Sequence, residues 1–251
     1  MLLGDPLTLV ITVLAVILVG LAKGGFAGLG ALATPLLALV LPPATAAALL
    51  LPILIVQDAI SVWTFRHEWD RWVVAWMLPG ALLGIALGWF YAANVDERAL
   101  MAALGIITFA FGAWRLWLGR GGRVALPSKS PGWVGSLFGV ATGVTSQIAH
   151  AGGPPFQMWV APRGLAHLRF VGTQAVLFAI LNWAKLPAYV GLGALTRPVL
   201  LTAAVLVPLA IASTFAGIWL IRRIETARFY TLVYWLMIAL GLRLAWVGVL
   251  G

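Results

Sequence analysis

The chain alternates long apolar runs with short polar or glycine-rich interruptions. Continuous apolar runs of this kind predict helices, and they cover residues 7–22, 31–41, 44–65, 72–93, 99–118, 132–145, 156–161, 168–192, 199–221 and 227–250. A helix that crosses a bilayer needs about 20 mostly apolar residues. The strands of a membrane barrel instead alternate apolar and polar residues over about 10 positions. The pattern therefore predicts an all-α polytopic membrane protein.

Composition supports a lipid environment for most of the chain. Hydrophobic residues make up 63% of the sequence and charged residues 9%, whereas soluble domains carry roughly 25% charged residues. The chain has no cysteine, which excludes disulfides and thiolate metal sites. Its net charge of +9 is explained by basic residues at cytoplasmic helix ends, so we expect no nucleic-acid partner. The expected location is the cell inner membrane, with several crossings.

The two halves of the chain repeat the same order of elements. Each half has a helix, a break rich in glycine and proline, a short apolar piece and then three full-length helices. Residues recur at a spacing of 129: Pro79, Gly88, Asp96, Gly112 and Trp117 match Pro208, Gly217, Glu225, Gly241 and Trp246. This predicts a duplication, with a first repeat at 1–118, a cytoplasmic linker at 119–131 and a second repeat at 132–251.

The short pieces determine how the repeats are oriented. Eleven helical residues at about 1.5 Å each reach only half of a hydrocarbon core, so each first helix and its short partner should form a re-entrant pair. Three crossings then follow, and an odd number turns the second half upside down. The sequence thus predicts two inverted-topology repeats, each with a broken, re-entrant helix pair and three transmembrane helices.

Basic residues then set the orientation. The linker side is predicted to hold eight of them: Arg66, Arg71, Arg120, Arg123, Lys129, Arg222, Arg223 and Arg228. The opposite side is predicted to hold four: Arg98, Arg163, Arg169 and Arg197. By the positive-inside rule the linker side is cytoplasmic, and both termini are extracytoplasmic.

The two breaks are the leading candidates for a binding site, because irregular backbone at membrane depth must be buried in protein or line a cavity. The free N–H groups and the positive dipole end of each following short helix favour an anion. The alternative is that the glycines only allow close helix packing. The candidate residues are Lys23, Gly24, Gly25, Gly28 and Gly30 in the first half, and Ser146, Gln147, His150, Gly152 and Gly153 in the second.

Further polar residues lie within the apolar runs. They are Gln57 and Asp58 in the first half, and Thr173, Gln174, Asn182 and Lys185 in the second. A charge at membrane depth is costly and commonly functional. Asp58 is predicted to couple a proton or to form a buried ion pair with Lys185, while Lys185 attracts an anion. Lys23 either attracts the anion or snorkels to the interface. His150 either titrates or simply satisfies a carbonyl.

No enzyme motif is present: the chain has no phosphate-binding loop, no His-Glu-x-x-His, no Gly-x-Ser-x-Gly and no metal-ligand cluster. We therefore expect no catalysis, no metal and no cofactor. The residues favour a secondary transporter for a small anion that works by alternating access. A passive anion channel and a non-transporting membrane scaffold stay as alternatives. Assembly into a homo-oligomer is left open.

Several segments resemble the TauE/SafE family of sulfite exporters over nearly the whole chain. They are residues 23–30 with Pro35, residues 51–54 with Asp58, and 78–80 with Gly84 in the first half, and residues 148–155, 170–173 and 182–187 in the second. The first break departs from the family pattern because Ala27 and Leu29 interrupt its glycines. The resemblance implies transport, often outward, of sulfite, sulfonates or related sulfur-containing anions.

Overall fold

A computed structural model of the chain describes residues 2, 4–26, 28–119, 130–220 and 227–250. These residues form helices and contain no strand. The first half holds α1 (Pro6–Lys23), a 3-10 turn (Leu29–Leu32), α2 (Ala33–Leu37), α3 (Pro43–Thr64), α4 (Arg71–Asn94) and α5 (Glu97–Gly119). The second half holds α6 (Gly132–Ala149), α7 (Gly153–Val160), a 3-10 turn (Ala161–Arg163), α8 (His167–Gly191), α9 (Arg197–Leu220) and α10 (Ala227–Leu250).

The predicted polytopic helical architecture is confirmed. Among the described residues, six helices are long and apolar enough to cross a membrane: α1, α3, α4, α5, α9 and α10. Helix α8 has 25 residues, but it carries Arg169 and Lys185 and is less apolar. Large apolar side chains such as Trp63, Trp117 and Trp246 lie exposed on the outside of the bundle, where lipid can cover them.

Helices at equivalent positions in the two halves run antiparallel to each other. In the α5–α10 pair, Gly105 packs against Ala245 and Gly112 packs against Tyr234, so residue numbers rise along one helix as they fall along the other. In the α3–α8 pair, Asp58 bonds to Asn182, while Gly172 faces the backbone of Glu68. Inverted repeats stay a prediction, and both antiparallel pairs support it.

The first helix of each half packs in parallel against the fourth helix of the other. Gly80 and Gly88 of α4 face Ser136 and Gln147 of α6, whereas Gly20 and Gly24 of α1 face Ser213 and Gly217 of α9. A Cβ added at Gly80 or Gly24 would collide with the backbone of the partner helix. These glycines are therefore required by close helix approach, and every one of these contacts joins one half to the other.

The directions of the helices define two ends of the bundle. Helix α3 runs parallel to α9, because Gln57 contacts Ala210 and Ala47 lines the same cavity as Val199. Helices α1, α3 and α9 thus begin at one end, which we call the termini end. Helix α5 finishes and α6 begins at the opposite end, the linker end. The chain between α1 and α3 must therefore return to the termini end, in the manner that the re-entrant prediction requires.

Two arginines lie at the opposite end from the one predicted. The guanidinium of Arg163 donates to the backbone carbonyl of Ser130, at 2.7 Å, just before α6. The guanidinium of Arg169 lies 3.5 Å from the carboxylate of Asp70, which caps the start of α4. Both are therefore at the linker end, because the chain returns after α7 to the end from which α6 started. Of the four residues assigned to the termini end, only Arg98 and Arg197 remain there.

Some predictions lie outside the described residues. They concern Ala27, most of the linker, Glu225, and the basic residues Arg120, Arg123, Lys129, Arg222 and Arg223. The side chain of Arg228 is likewise outside them.

Candidate functional site

Both helix breaks are shorter than the sequence predicted. In the first half α1 ends at Lys23 and the 3-10 turn already begins at Leu29. In the second half α6 continues to Ala149 and α7 starts at Gly153, so Ser146 and Gln147 belong to the last turn of a helix. The turn closes at His150, whose φ of 51° is left-handed. The predicted break over 146–155 is therefore wrong in its limits.

The expected pair of helix N-termini stays a prediction, and the structure shows fewer backbone donors there than the sequence suggested. The first break leads into a four-residue 3-10 turn that continues directly into a five-residue helix. The second leads into α7, whose first turn contains Pro154 and Pro155. Proline has no backbone N–H, so most of the expected backbone donors are absent. Side chains must supply the polar groups of any site here.

A cavity of ≈50 Å³ lies between the two breaks. Nine predicted site residues line it: Lys23, Gly28, Gly30, Ser146, His150, Gly153, Gln174, Asn182 and Lys185. Apolar residues complete the wall, among them Leu50, Leu54 and Phe178. Residues that are far apart in sequence, from α1, α3, α6, α7, α8 and both breaks, thus meet at one place. Whether they bind a substrate stays a prediction.

On one side of the cavity, Lys23 and Asp58 form a buried ion pair. Asp58 is 1% exposed and bonds to the ammonium of Lys23 through one carboxylate oxygen. Its other oxygen accepts from the amide nitrogen of Asn182. The snorkelling alternative for Lys23 is therefore excluded. The predicted pairing of Asp58 with Lys185 is also wrong, since Lys23 takes that place.

On the other side, Lys185 is fully buried with neutral partners only. Its Nζ lies 3.2 Å from the Ser146 carbonyl oxygen, 3.1 Å from the Ser146 hydroxyl and 2.8 Å from Nδ1 of His150. An ammonium has three hydrogens, and these three acceptors use all of them.

The bonding of His150 fixes its tautomer. Its Nε2 lies 2.8 Å from the carbonyl oxygen of Ala47. Because a carbonyl only accepts, Nε2 carries the ring proton and Nδ1 is left to accept from Lys185. His150 is thus neutral in this arrangement. Its imidazole donates to the carbonyl of Ala47, as one of the two alternatives predicted, and it also contacts the ammonium of Lys185.

The charges around the cavity do not cancel. Lys23 is balanced by Asp58, whereas Lys185 faces a hydroxyl, a carbonyl and a neutral imidazole. With Lys185 in its ammonium form, the described groups leave one positive charge in a region of low dielectric. Such a charge is costly without a counter-ion, so the cavity favours a small anion.

Several predicted site residues do not reach the main cavity. Gly24 packs against Gly217, and Gly152 packs against Phe178 and Ser146. Gly25 lines a smaller neighbouring cavity of ≈10 Å³ on the linker side.

Three predicted polar residues also lie away from the main cavity. Gln57 donates to the carbonyl of Ala210 at 3.4 Å. The Thr173 hydroxyl accepts from the N–H of Asp70 at the linker end, at 2.9 Å. Gln147 lines a different cavity, described next.

A larger cavity of ≈570 Å³ lies at the termini end. Its lining includes Pro43, Ala47, Glu97, Tyr189 and Thr196. Ala47 and Tyr189 also contact His150, through the Nε2 bond and ring stacking at 6.0 Å between centroids. The layer formed by these three residues therefore separates this vestibule from the small cavity.

Two residues near the site were missed at the sequence level. Arg115 lies inside the apolar run 99–118, and its charge at that depth was the available signal. It bonds to Tyr234 at 2.9 Å and to Gln157 at 3.1 Å. Gln157, in α7, gave no such signal, because an amide in an eight-residue apolar helix is unremarkable until its neighbours are known.

Comparison with known proteins agrees with a polytopic membrane fold. The family model for the sulfite exporter TauE/SafE matches residues 12–244, which is nearly the whole chain. No curated protein and no solved structure matches the chain. The matched span includes both breaks and every residue around the cavity. The protein is therefore a multi-pass membrane transporter and not an enzyme, and the chain belongs to the sulfite exporter TauE/SafE family.

Proposed function

We propose that the protein is a secondary transporter that exports a small sulfur oxyanion, sulfite or a small organosulfonate, across the cell inner membrane. The observation that carries the proposal is the charge of the small cavity. Two lysines and one carboxylate meet there, so a singly charged cargo, such as hydrogensulfite or a sulfonate, completes the balance. The bound site is then neutral in a medium where an unbalanced charge is expensive.

The size of the cavity supports a cargo of a few atoms. One water needs about 10–15 Å³ of such space, so ≈50 Å³ holds on the order of four waters. Sulfite has four non-hydrogen atoms. A sulfonate with a longer organic group requires the apolar wall around Leu50, Leu54 and Phe178 to move. Sulfite is therefore the better fit to this conformation.

The burial of the site supports a transporter over a passive channel. Lys185, Asn182 and Ser146 are at most 2% exposed, and the layer of Ala47, His150 and Tyr189 lies between them and the vestibule. A conducting pore needs a continuous path for the ion. Alternating access instead requires a site that is closed from at least one side. The scaffold alternative is disfavoured by membership in a family of transporters.

Proton coupling through Asp58 or His150 is part of the proposal. Protonation of Asp58 would remove its attraction for Lys23. Protonation of His150 at Nδ1 would place a donor against the ammonium of Lys185. Either event changes the charge of the cavity by one unit, which is the requirement for linking a proton to an anion.

The orientation is proposed from the basic residues. The linker end holds Arg66, Arg71, Arg163 and Arg169, and the termini end holds Arg98 and Arg197. The positive-inside rule then makes the linker end cytoplasmic and both termini extracytoplasmic. Export would load the anion from the linker end and release it through the large vestibule.

The test is a flux assay with purified full-length protein in liposomes. Sulfite, methanesulfonate and sulfate are compared, with and without an imposed proton gradient. We expect saturable sulfite flux that the gradient accelerates, weaker methanesulfonate flux and little sulfate flux. Flux that rises linearly with concentration and ignores the proton gradient would favour the channel. No flux of any sulfur oxyanion would overturn the proposal.

A further inference from the structure

The amide of Gln157 has one end held and the other end free. Gln157 lies in the middle of α7 and is 3% exposed. Its Oε1 accepts from Nη1 of Arg115 at 3.1 Å. Its Nε2 has no hydrogen-bond partner among the described residues. A buried donor without a partner costs about 1–3 kcal/mol, so a bulky polar side chain here needs an explanation.

Arg115 fixes which end of the amide is free. A guanidinium has only donors and no acceptor, so the amide oxygen must face it. The reversed amide would bring two donors together. The NH₂ group therefore has to point away from Arg115. Arg115 is itself fixed from the other side, since its Nε donates to the Tyr234 hydroxyl at 2.9 Å.

The free NH₂ group points at the two breaks. Gln157 follows Gly153 by one helical turn, and side chains in a helix lean toward its N-terminus. A Cβ placed on Gly153 would lie 3.7 Å from Nε2, and one placed on Gly28 would lie 3.8 Å from it. Both glycines line the small cavity. Since neither carries a side chain, nothing from them blocks the approach of an anion to this nitrogen.

We propose that Gln157 is a substrate-binding residue that donates a hydrogen bond to an oxygen of the transported oxyanion. This inference rests on the proposed function. It adds to the site a residue that is not among those lining the small cavity. The donor stands where Pro154 and Pro155 have removed backbone donors from the start of α7. Arg115 is the positioning residue: it orients the Gln157 amide from the oxygen side and does not itself contact the anion.

The chemistry sets a specific expectation for variants. A hydrogen bond to a charged group contributes about 1.5–3 kcal/mol, which corresponds to roughly 10- to 100-fold in affinity. Gln157→Leu keeps the size and removes the donor, so KM for sulfite should rise by about that factor. Gln157→Glu keeps an oxygen for Arg115 and turns the free end into a negatively charged acceptor. It should impair transport more than Gln157→Leu does.

The experiment measures KM and maximal rate of sulfite flux in liposomes, together with thermal unfolding of each purified variant. Thr108→Val is the control for loss of a buried polar group, because it removes a buried hydroxyl that, among the described residues, bonds only within its own helix. We expect unchanged KM for Thr108→Val, raised KM for Gln157→Leu, and the largest loss for Gln157→Glu despite unfolding at or above the wild-type temperature.

The outcomes separate a binding role from a structural one. A purely structural Gln157 predicts that Gln157→Glu, with a stronger bond to Arg115, transports as well as wild type. That result, or an unchanged KM in a folded Gln157→Leu, would overturn the inference while wild-type flux leaves the proposed function intact. Absence of flux in the wild type would instead defeat the proposed function, and the inference with it.

Discussion

The two helix breaks occupy equivalent places in the two halves, yet the lysine near each break is balanced differently. At the first break the lysine, Lys23, is neutralised by Asp58, which also accepts from Asn182. At the second break Lys185 meets only neutral groups, Ser146 and His150. The two breaks therefore share a place in the fold, while the unpaired charge lies on the side of the second break.

The backbone of the two breaks differs as well. The first break turns through two glycines with positive φ, Gly25 at 132° and Gly28 at 104°. The second turns at a single left-handed histidine, His150, and passes directly into α7. A histidine is tolerated there because its ring is held by Ala47 and Lys185. At the second break the turn residue, His150, therefore also contacts the site through its side chain. At the first break the turn residues are glycines and have no side chain to do so.

The largest expected effect on transport comes from Lys185→Met. It removes the unbalanced charge, and loss of a buried charged partner costs about 2–5 kcal/mol, which is roughly 30-fold or more in affinity. The matched comparison is the double variant Lys23→Met with Asp58→Asn, which removes a neutral pair. Sulfite flux in liposomes should fall much further in Lys185→Met than in the double variant. Equal losses would mean that the two sides of the cavity are electrostatically alike.

The next largest effect is on stability, in Asp58→Asn. It leaves the partly buried Lys23 without a counter-charge, which costs up to about 3–5 kcal/mol. Adding Lys23→Met should recover most of that loss because no unpaired charge is left. Thermal unfolding of the purified variants in detergent measures both. If the single and double variants unfold together, the ion pair does not stabilise the bundle as the contacts indicate.

The smallest expected effect is a difference in stability between glycine-to-alanine variants at the two breaks. Gly28→Ala forces a side chain into a left-handed conformation and should cost about 1–2 kcal/mol. Gly153→Ala lies in the first turn of α7, where the only neighbour of the new methyl is the Gln157 amide at 3.7 Å, so we expect a change of under about 0.5 kcal/mol. Unfolding without substrate is the measurement. An equal loss in both would place Gly153 under a constraint that its helical geometry does not reveal.

The fold could be predicted from the sequence to a large extent because the bilayer fixes the length of a crossing helix. Helices α3, α4 and α9 begin and end within about two residues of the apolar runs, and glycines spaced by 129 residues, such as Gly88 and Gly217, occupy matching contacts. The ends of the breaks were less predictable, since Ser146 and Gln147 are polar but helical. Arg163 and Arg169 were misplaced because the end to which α7 returns depends on the three-dimensional path.

The sequence predicted which residues lie at the candidate site better than it predicted which of them bond to each other. Buried charges at Asp58 and Lys185 are visible in an apolar run, because each is costly there. Their partners are not visible. The sequence predicted an ion pair of Asp58 with Lys185, whereas in the folded chain Asp58 pairs with Lys23, 35 residues earlier. Gln157 carries no charge, so the sequence gives no signal for it. That its NH₂ group points toward the breaks becomes clear only once the position of Arg115 is known.

The crossed packing of the halves has a consequence for the predicted duplication. Helices α1, α4 and α5 each present glycines whose missing side chains are replaced by backbone from the other half. A half-length ancestor would have had the same bare grooves and nothing of its own to fill them. It would have needed a second copy inserted in the opposite direction across the membrane. Gene fusion would then have tied together two chains that already folded only as a pair.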